Sequence, residues 1–359
     1  MILEQSFTKA WLLDINKALG WNRQETQLKN LEKAIAALYL LERLVAVGMN
    51  FIFKGGTSLL LLLGEIHRLS VDIDVIIEKP IAGIEKAFDE VCLGSKLFTR
   101  FMKDERNNAS DFDTTHYKFF YKSFMDAQEE SYILLDLCCT ANPYAKLMKL
   151  EISSDILRTD GTNLFVALPD VNSILGDKLT AFAPETIGVK LSAEPGHRPK
   201  RIEVLKQLFD VGNLFDHAQN AIDIRKTYWA VAEHQIQQFG LNITPEDALR
   251  DTFHHAQIIA FGGKLEKECY ENIQKGFKDF SKFVSDLSFD KNRAELDAAK
   301  AAYLVTVLLK SCVALEKYND AVDMSDWIIQ DPAFAPLNDA KFTNPEAFFY
   351  WMKALHESN

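Results

Sequence analysis

Two aspartates in alternation are the residues of this sequence best suited to chemistry. Asp72 and Asp74 are two residues apart, so in a β-strand their side chains point to the same face of the sheet. Two carboxylates held close together repel each other and raise each other's pKa unless a cation lies between them. A divalent metal ion is the simplest such cation. The pair therefore predicts a metal site at the end of a strand.

A glycine-rich turn precedes the two aspartates and has the composition of a phosphate-binding turn. An apolar strand at 51–53 leads into it, and a leucine-rich helix follows at 59–63. The turn consists of Lys54, Gly55, Gly56, Thr57 and Ser58. Glycines at a strand-to-helix turn let backbone N–H groups approach a phosphate, the helix N-terminus favours its charge, and the two hydroxyls add donors. A metal site beside such a turn is typical of nucleotidyl transfer, in which metal ions bridge the triphosphate and the attacking oxygen.

The same region resembles a known family of enzymes. Its segments GGTSL at 55–59 and RLSVDID at 68–74 are similar to the first motif of the AbiEii/AbiGii-type nucleotidyltransferases of the polymerase-β-like superfamily. These enzymes are best known as toxins of bacterial toxin–antitoxin systems. A bare D-x-D is common on exposed strands, but here Arg68, Ser70, the glycines and the hydroxyls accompany it at this spacing. The resemblance covers about residues 35–217 and implies an α/β nucleotidyltransferase domain with a mixed sheet.

The resemblance also implies a third carboxylate on a neighbouring strand. The segment YILLDLCC at 132–139 has the pattern of a buried strand that contains one charge, Asp136. A lone buried carboxylate is unfavourable unless it is paired or bound to a metal ion. We therefore expect Asp136 to be the third metal ligand, while a turn N–H or an arginine remains an alternative partner.

A lysine lies in the middle of an apolar helix face further along the chain. The segment LPDVNSILGDKLTAF at 168–182 has helical spacing, and Lys178 falls on the stripe between Ile174 and Phe182. Either its stem packs while the ammonium reaches outward to solvent, or the ammonium faces a pocket that holds phosphates. The resemblance favours the second interpretation, because the family has a helical motif with a lysine and an aspartate.

A second helix carries another lysine and aspartate. The segment RPKRIEVLKQLFDVGNL at 198–214 is similar to the family's arginine-rich loop and K-D-x-x-D-L helix, with Lys206 and Asp210 at matching positions. Gln207 stands where the family usually has an acidic residue, so this helix has one carboxylate fewer than the pattern. The alternative interpretation of Lys206 and Asp210 is a solvated i,i+4 ion pair, which stabilises a helix only by tenths of a kcal/mol.

Positive charge is concentrated in one segment of an acidic chain. The net charge is −11, which excludes a generally basic nucleic-acid-binding surface. The segment at 190–206 contains five lysines and arginines, including Arg198, Lys200 and Arg201, against two glutamates. We expect it to grip only the end of an RNA, where single-stranded bases can stack on aromatic side chains and few phosphates need neutralising.

The resemblance implies a nucleotidyltransferase domain with N-terminal helices at 1–218, and the hydrophobic pattern predicts an α-helical domain at 219–359. Helices are expected over 1–50 and near 81–92, and a mobile loop over the polar tract at 104–115. Strands are expected at about 51–53, 71–77, 115–122 and 132–139.

Cysteine usage and the absence of apolar runs bear on the compartment. The 5 cysteines show no paired metal spacing, which is typical of a reduced, cytoplasmic protein. No run approaches the roughly 18 apolar residues of a membrane span, and the N-terminus lacks the basic start and cleavage site of a signal peptide. We therefore expect no membrane partner.

These observations together predict a metal-dependent nucleotidyltransferase that moves an NMP from an NTP to an acceptor hydroxyl, with Mg²⁺ or Mn²⁺. The expected metal ligands are Asp72, Asp74 and Asp136, and the expected catalytic residues are Asp72, Asp74, Lys178 and Asp210. The expected nucleotide-binding residues are Gly55, Gly56, Thr57, Ser58, Arg68 and Lys206. Lys178 is expected to neutralise charge that develops on the leaving group.

The acceptor is left open by the residues themselves. The resemblance implies a toxin that acts on RNA, with a tRNA 3′ end as the leading acceptor and a cognate antitoxin as a further partner. A small molecule or a protein hydroxyl would use the same catalytic core. A non-catalytic protein that binds a nucleotide or a partner without turnover is the alternative from another functional class.

Overall fold

The structure is a computed structural model that describes residues 1–20, 25–105, 114–191, 199–284 and 289–356. Most of the tract at 104–115, predicted to be a mobile loop, lies outside these residues. The described chain divides into two compact units. The first unit contains described residues of 1–142, 147–170 and 282–284, and the second contains those of 143–146, 171–281 and 289–356.

The first unit is an α/β fold, as predicted. Its helices are α1 (Lys9–Ala18), α2 (Glu25–Ala46), α3 (Gly55–Leu62) and α4 (Ile84–Leu93). Its strands are β1 (Ile52–Lys54), β2 (Ile73–Ile77), β3 (Arg100–Asp104), β4 (Thr114–Lys122), β5 (Glu130–Cys139), β6 (Leu147–Glu151) and β7 (Phe165–Pro169).

Within the described residues these strands form one mixed sheet of seven, in the order β3-β4-β5-β2-β1-β7-β6. The pairs β2 with β5 and β1 with β7 are parallel, and the other neighbours are antiparallel. The four expected strands are present within two residues of the predicted bounds. The strands β3, β6 and β7 were not predicted.

Alternation along the strands separates a core face of the sheet from a second, less buried face. The core face carries fully or almost fully buried side chains from β4 and β5, namely Tyr117, Phe119, Tyr121, Ile133, Leu135 and Leu137. On this face Phe88 of α4 contacts Tyr117 and Phe119 edge-on, with ring centroids 4.8 and 5.2 Å apart. The helix α2 buries apolar side chains in the same core, among them Leu31, Ile35 and Leu38. Since side chains alternate along a strand, burial of the core face also determines which side chains point to the second face.

The second unit consists mainly of helices. They are α5 (Val171–Ala181), α6 (Arg201–His217), α7 (Ala221–Gln238), α8 (Pro245–Ala260), α9 (Lys267–Gln274), α10 (Phe277–Phe280), α11 (Lys291–Leu309), α12 (Ala340–Thr343) and α13 (Pro345–His356). Side-chain caps define several starts, such as the capping box of Thr244 and Asp247 at α8. Aromatic side chains pack in the interior: Phe215 contacts Tyr303 and Tyr350 edge-on. No helix of the described chain has the length and hydropathy of a membrane span.

A buried ion pair on α8 ties this helix to the chain that follows α5. The Asp251 Oδ1 atom lies 2.8 Å from Nδ1 of His255. The other carboxylate oxygen accepts hydrogen bonds from the backbone N–H groups of Glu185 and Thr186 and from the Thr186 hydroxyl. Burial alone would lower the pKa of His255, but its hydrogen bonds to Asp251 and Cys269 outweigh burial and raise the pKa to about 10. Burial would raise the pKa of Asp251, but the bonds from His255 and Thr186 lower it.

The substitution His255→Gln tests this pair through the pH dependence of stability. The folded-state pKa of about 10 lies above the ordinary 6.5, so the stabilising effect is fully present below pH 6.5 and is lost as the pH rises through 10. We expect the parent to lose free energy of unfolding over this window, relative to the variant, by up to about 1.4 kcal/mol per pH unit. Urea unfolding of both proteins across the window measures the difference.

The neighbouring residue supplies a matched control. His254 is 45% exposed and pairs with Glu266, so His254→Gln should retain the pH profile of the parent. If His255→Gln also keeps that profile, the buried pair does not stabilise the protein through its charge.

Candidate active site

A row of polar residues crosses the less buried face of the sheet in the first unit. The strand register places Lys54 opposite Asp74, Asp74 opposite Asp136, and Asp136 opposite His116. Side chains at paired positions project from the same face of a sheet, so all four belong to one face. The structure thus brings Asp74 and Asp136 together as direct neighbours on the parallel strands β2 and β5.

The third predicted ligand, Asp72, lies immediately before β2. Its side chain is half-buried, as are those of Asp74 and Asp136. Its backbone carbonyl accepts a hydrogen bond of 2.6 Å from the Thr57 hydroxyl. This bond ties the residues in front of β2 to the first turn of α3, and so fixes Asp72 relative to the glycine turn.

Gly55 lies directly against the carboxylate of Asp74. It has a φ of +76°, in the left-handed region that favours glycine, and it is the first residue of α3. A methyl group at this position would overlap the carboxylate and come within 2.8 Å of its Cγ. The turn and the aspartate therefore pack so closely that only glycine fits between them.

Gly56 makes a similar close approach to two side chains. A Cβ atom there would lie 2.7 Å from Nη2 of Arg68 and 2.7 Å from Oγ of Ser70. Arg68 is buried, and its Nη1 donates a hydrogen bond of 3.1 Å to the carbonyl of Leu69. The structure therefore places a guanidinium group at the start of α3, where the helix dipole also favours an anion.

The hydroxyls of Thr57 and Ser58 take part in shaping the turn. Both side chains are fully buried. The Thr57 hydroxyl donates to the Asp72 carbonyl, and the Ser58 hydroxyl donates to the carbonyl of Gly55 at 2.8 Å. The structure thus gives them a positioning role, and their predicted contact with a triphosphate stays a prediction.

His116 is the residue of this row that the sequence did not point to. Its Nδ1 atom lies 2.7 Å from Oδ1 of Asp136, and its side chain is buried. An ionised carboxylate can only accept, so Nδ1 carries the hydrogen of this bond. The alternation of β4 already places Tyr117 on the core face, which leaves His116 on the other face. The missing information was the register between β4 and β5.

The chemistry of the aspartates suits a divalent ion. Among the described residues, no group of three or more His, Cys, Asp or Glu side chains is arranged to hold a metal ion. Mg²⁺, however, is usually bound by one or two carboxylates and completes its shell with waters and substrate phosphates. The oxygen donors of Asp74 and Asp136, side by side on adjacent strands, fit an ion of this kind that binds together with a nucleotide.

In the second unit, Lys178 and Asp210 form a buried ion pair between α5 and α6. Their Nζ and Oδ2 atoms are 2.9 Å apart, and the two side chains are 11% and 1% exposed. The Lys178 ammonium also donates to the amide oxygen of Gln207 at 3.4 Å. The interpretation of Asp210 as a solvated partner of Lys206 is wrong, because the Asp210 side chain is buried. Lys206 itself is half-buried on α6.

The basic segment at 190–206 is described only in part. Arg198 lies outside the described residues, and Lys200 is exposed. Arg201 is the first residue of α6, and its Nε donates to the amide oxygen of Asn272. Of the three cations expected to grip RNA, Arg201 is thus engaged within the second unit.

A family model of known proteins matches this chain. The family model for "Nucleotidyl transferase AbiEii toxin, Type IV TA system" matches residues 39–299, which is more than half of the chain. A search of curated proteins found no match.

The contact between Gly55 and Asp74 leads to a prediction with a matched control. Gly64 also has a positive φ, of +72°, but a Cβ atom there would meet nothing within 4 Å. We expect Gly64→Ala to cost about 1–2 kcal/mol of stability from backbone strain alone. Gly55→Ala should cost a further 1–3 kcal/mol or so, because the methyl group displaces Asp74. Urea unfolding measures the free energy of unfolding of both variants. Equal losses would show that Asp74 moves aside without a cost in stability.

The buried pair of Lys178 and Asp210 leads to a second prediction. Lys178→Met should destabilise the protein by about 3–5 kcal/mol, because it leaves an uncompensated buried carboxylate. The double variant Lys178→Met with Asp210→Leu should recover most of this loss, since it removes both charges. Denaturant unfolding of the parent, both single variants and the double variant gives the coupling energy. A neutral effect of Lys178→Met would restore the interpretation in which the ammonium reaches solvent.

Proposed function

Because the chain belongs to the AbiEii family of nucleotidyltransferase toxins of type IV toxin–antitoxin systems, we propose that it transfers an NMP from an NTP to an acceptor hydroxyl in a metal-dependent reaction. The observation that carries this proposal is the close packing of the glycine turn against the aspartates. Gly55 lies against Asp74, and Asp74 lies opposite Asp136. A phosphate-binding turn and two carboxylates on one sheet face are the parts that nucleotidyl transfer requires.

The three aspartates are proposed to hold Mg²⁺ or Mn²⁺. Asp74 and Asp136 would supply ligands from adjacent strands, and Asp72 would supply a third from the residues before β2. When bound, the ion would neutralise part of the phosphate charge and polarise the phosphoryl oxygens. Thr57 contributes indirectly, because its bond to the Asp72 carbonyl holds that residue in place.

The turn is proposed to bind the triphosphate. Gly55 and Gly56 allow close approach of the backbone, so that the N–H groups at the start of α3 can donate to phosphate oxygens. Arg68 lies against Gly56 and would neutralise part of the charge. Thr57 and Ser58 are proposed to bind through their backbone N–H groups, since their hydroxyls already donate to the carbonyls of Asp72 and Gly55.

Residues of the second unit are assigned by the resemblance. Lys178 is proposed to stabilise charge on the leaving group, with Asp210 as the carboxylate that fixes its position and Lys206 as a further nucleotide-binding residue. The bond of 2.9 Å between Lys178 and Asp210 supports a fixed ammonium. The side-chain amide oxygen of Gln207 is a second acceptor for the Lys178 ammonium.

The proposed acceptor is an RNA, with a tRNA 3′ end as the leading candidate. The net charge of −11 supports recognition of a short RNA end over a long phosphate backbone. The family's role in toxin–antitoxin systems supports a cognate antitoxin as the second partner. A small-molecule or protein acceptor is an outcome that the following experiment distinguishes.

The test is a transfer assay with each labelled NTP, total RNA and Mg²⁺. We expect label from one or two NTPs to enter a small RNA, and we expect Asp74→Asn to reduce this by at least about a thousandfold, because it removes a charged ligand. Asp126→Asn changes an exposed turn aspartate and should leave the activity unchanged. Chelation of the metal ion should abolish incorporation of the label into RNA.

Three outcomes would contradict parts of the proposal. Label in protein or in a small molecule would overturn the RNA acceptor. Undiminished transfer by Asp74→Asn would overturn the assignment of the site. Tight NTP binding without transfer to any acceptor would support the non-catalytic alternative.

A further inference from the structure

The contact of His116 with Asp136 has no part in the function proposed so far. The Nδ1 atom of His116 and Oδ1 of Asp136 are 2.7 Å apart, and the two side chains are 9% and 25% exposed. The two residues are direct partners in the register of β4 with β5. Strand pairing therefore sets this bond, and no flexible segment has to move for it to form.

The order of residues in the row places His116 at one end of it. From β1 the order is Lys54, Asp74, Asp136 and His116. Gly55 follows Lys54, so the turn proposed to hold the triphosphate lies at the β1 end. In phosphoryl transfer the attacking and leaving oxygens lie roughly in line on opposite sides of the phosphorus. If pyrophosphate leaves at the β1 end, the acceptor hydroxyl would therefore approach from the side of β5 and β4.

We propose that His116 is a positioning residue for the acceptor half of the reaction. Its Nδ1–H group holds Oδ1 of Asp136, and this directs Oδ2 toward the metal ion and the acceptor hydroxyl. The inference rests on the proposed function, because that function makes Asp136 a ligand of the metal ion. His116 itself touches neither the nucleotide nor the acceptor.

The energetic argument concerns the freedom of the Asp136 carboxylate. This side chain is a quarter exposed, so packing alone does not fix its rotamer. Carboxylates and imidazoles that bind metal ions are usually oriented by a further hydrogen bond, and loss of that bond typically costs 10–100-fold in metal affinity or activity. A purely structural role of His116 would need only a side chain of similar size. A positioning role needs an N–H group at the place of Nδ1.

Four variants separate these two roles. His116→Asn keeps an N–H donor close to the place of Nδ1, whereas His116→Gln moves the donor one bond further out, and His116→Leu removes it. Thr114→Val is the control, because Thr114 lies on the same strand and face but opposite Cys138. For each protein we would measure Mn²⁺ binding by electron paramagnetic resonance, kcat and the KM for NTP and RNA, and the melting temperature.

We expect His116→Leu and His116→Gln to lower both kcat and Mn²⁺ affinity by about tenfold or more, with little change in the KM for NTP. His116→Asn should recover most of both, and Thr114→Val should match the parent. If His116→Leu does not fold, the difference between the Asn and Gln variants carries the test.

Two results would overturn the inference while the proposed function stands. One is parent-like kcat and Mn²⁺ binding in both the Leu and Gln variants. The other is an Asn variant as impaired as the Leu variant, with a melting temperature that has fallen by the same amount. Failure of the proposed function differs from both, since the parent itself would then neither bind Mn²⁺ nor transfer a nucleotide.

Discussion

The pairing of β2 with β5 is the interaction on which the candidate active site depends. It places Asp74 opposite Asp136 on one face, while Val75 and Leu135 are buried on the other. A shift of one residue in this register would turn an aspartate into the core and a leucine out of it. The free energy of core burial therefore holds the carboxylates in register, although the carboxylates themselves repel each other.

Two deeply buried ion pairs lie in the second unit. In the second unit Lys178 is bound to Asp210, and His255 is bound to Asp251. Replacement of both partners of such a pair by apolar side chains is often neutral, but removal of one partner alone is costly. Their effect is to fix where two helices or a helix and a loop meet. For Lys178, the contact with Asp210 fixes the position of the ammonium group.

Local patterns predicted the parts of the site that depend on few residues of sequence. One stretch of chain predicted the aspartate pair, the glycine turn and the family. The family model confirms the family. Asp136 followed from burial of its strand. His116 did not, because strand register is a long-range property that one sequence does not show. The strands β3 and β6 were missed because they are short edge strands, in each of which three of the five residues are exposed. The pairing of Lys178 with Asp210 joins two helices. It was missed because it too is a long-range contact.

The order of strands in the sheet also has a consequence for how the chain acquires its candidate metal site. The parallel neighbours β2 and β5 are joined through α4, β3 and β4, so their contact closes a long loop of chain. Contacts of this kind form late and slowly in folding, because the entropy of loop closure must be overcome first. During synthesis, Asp72 and Asp74 leave the ribosome well before Asp136. The nascent chain therefore lacks a complete set of candidate carboxylates until β5 has been made and has paired.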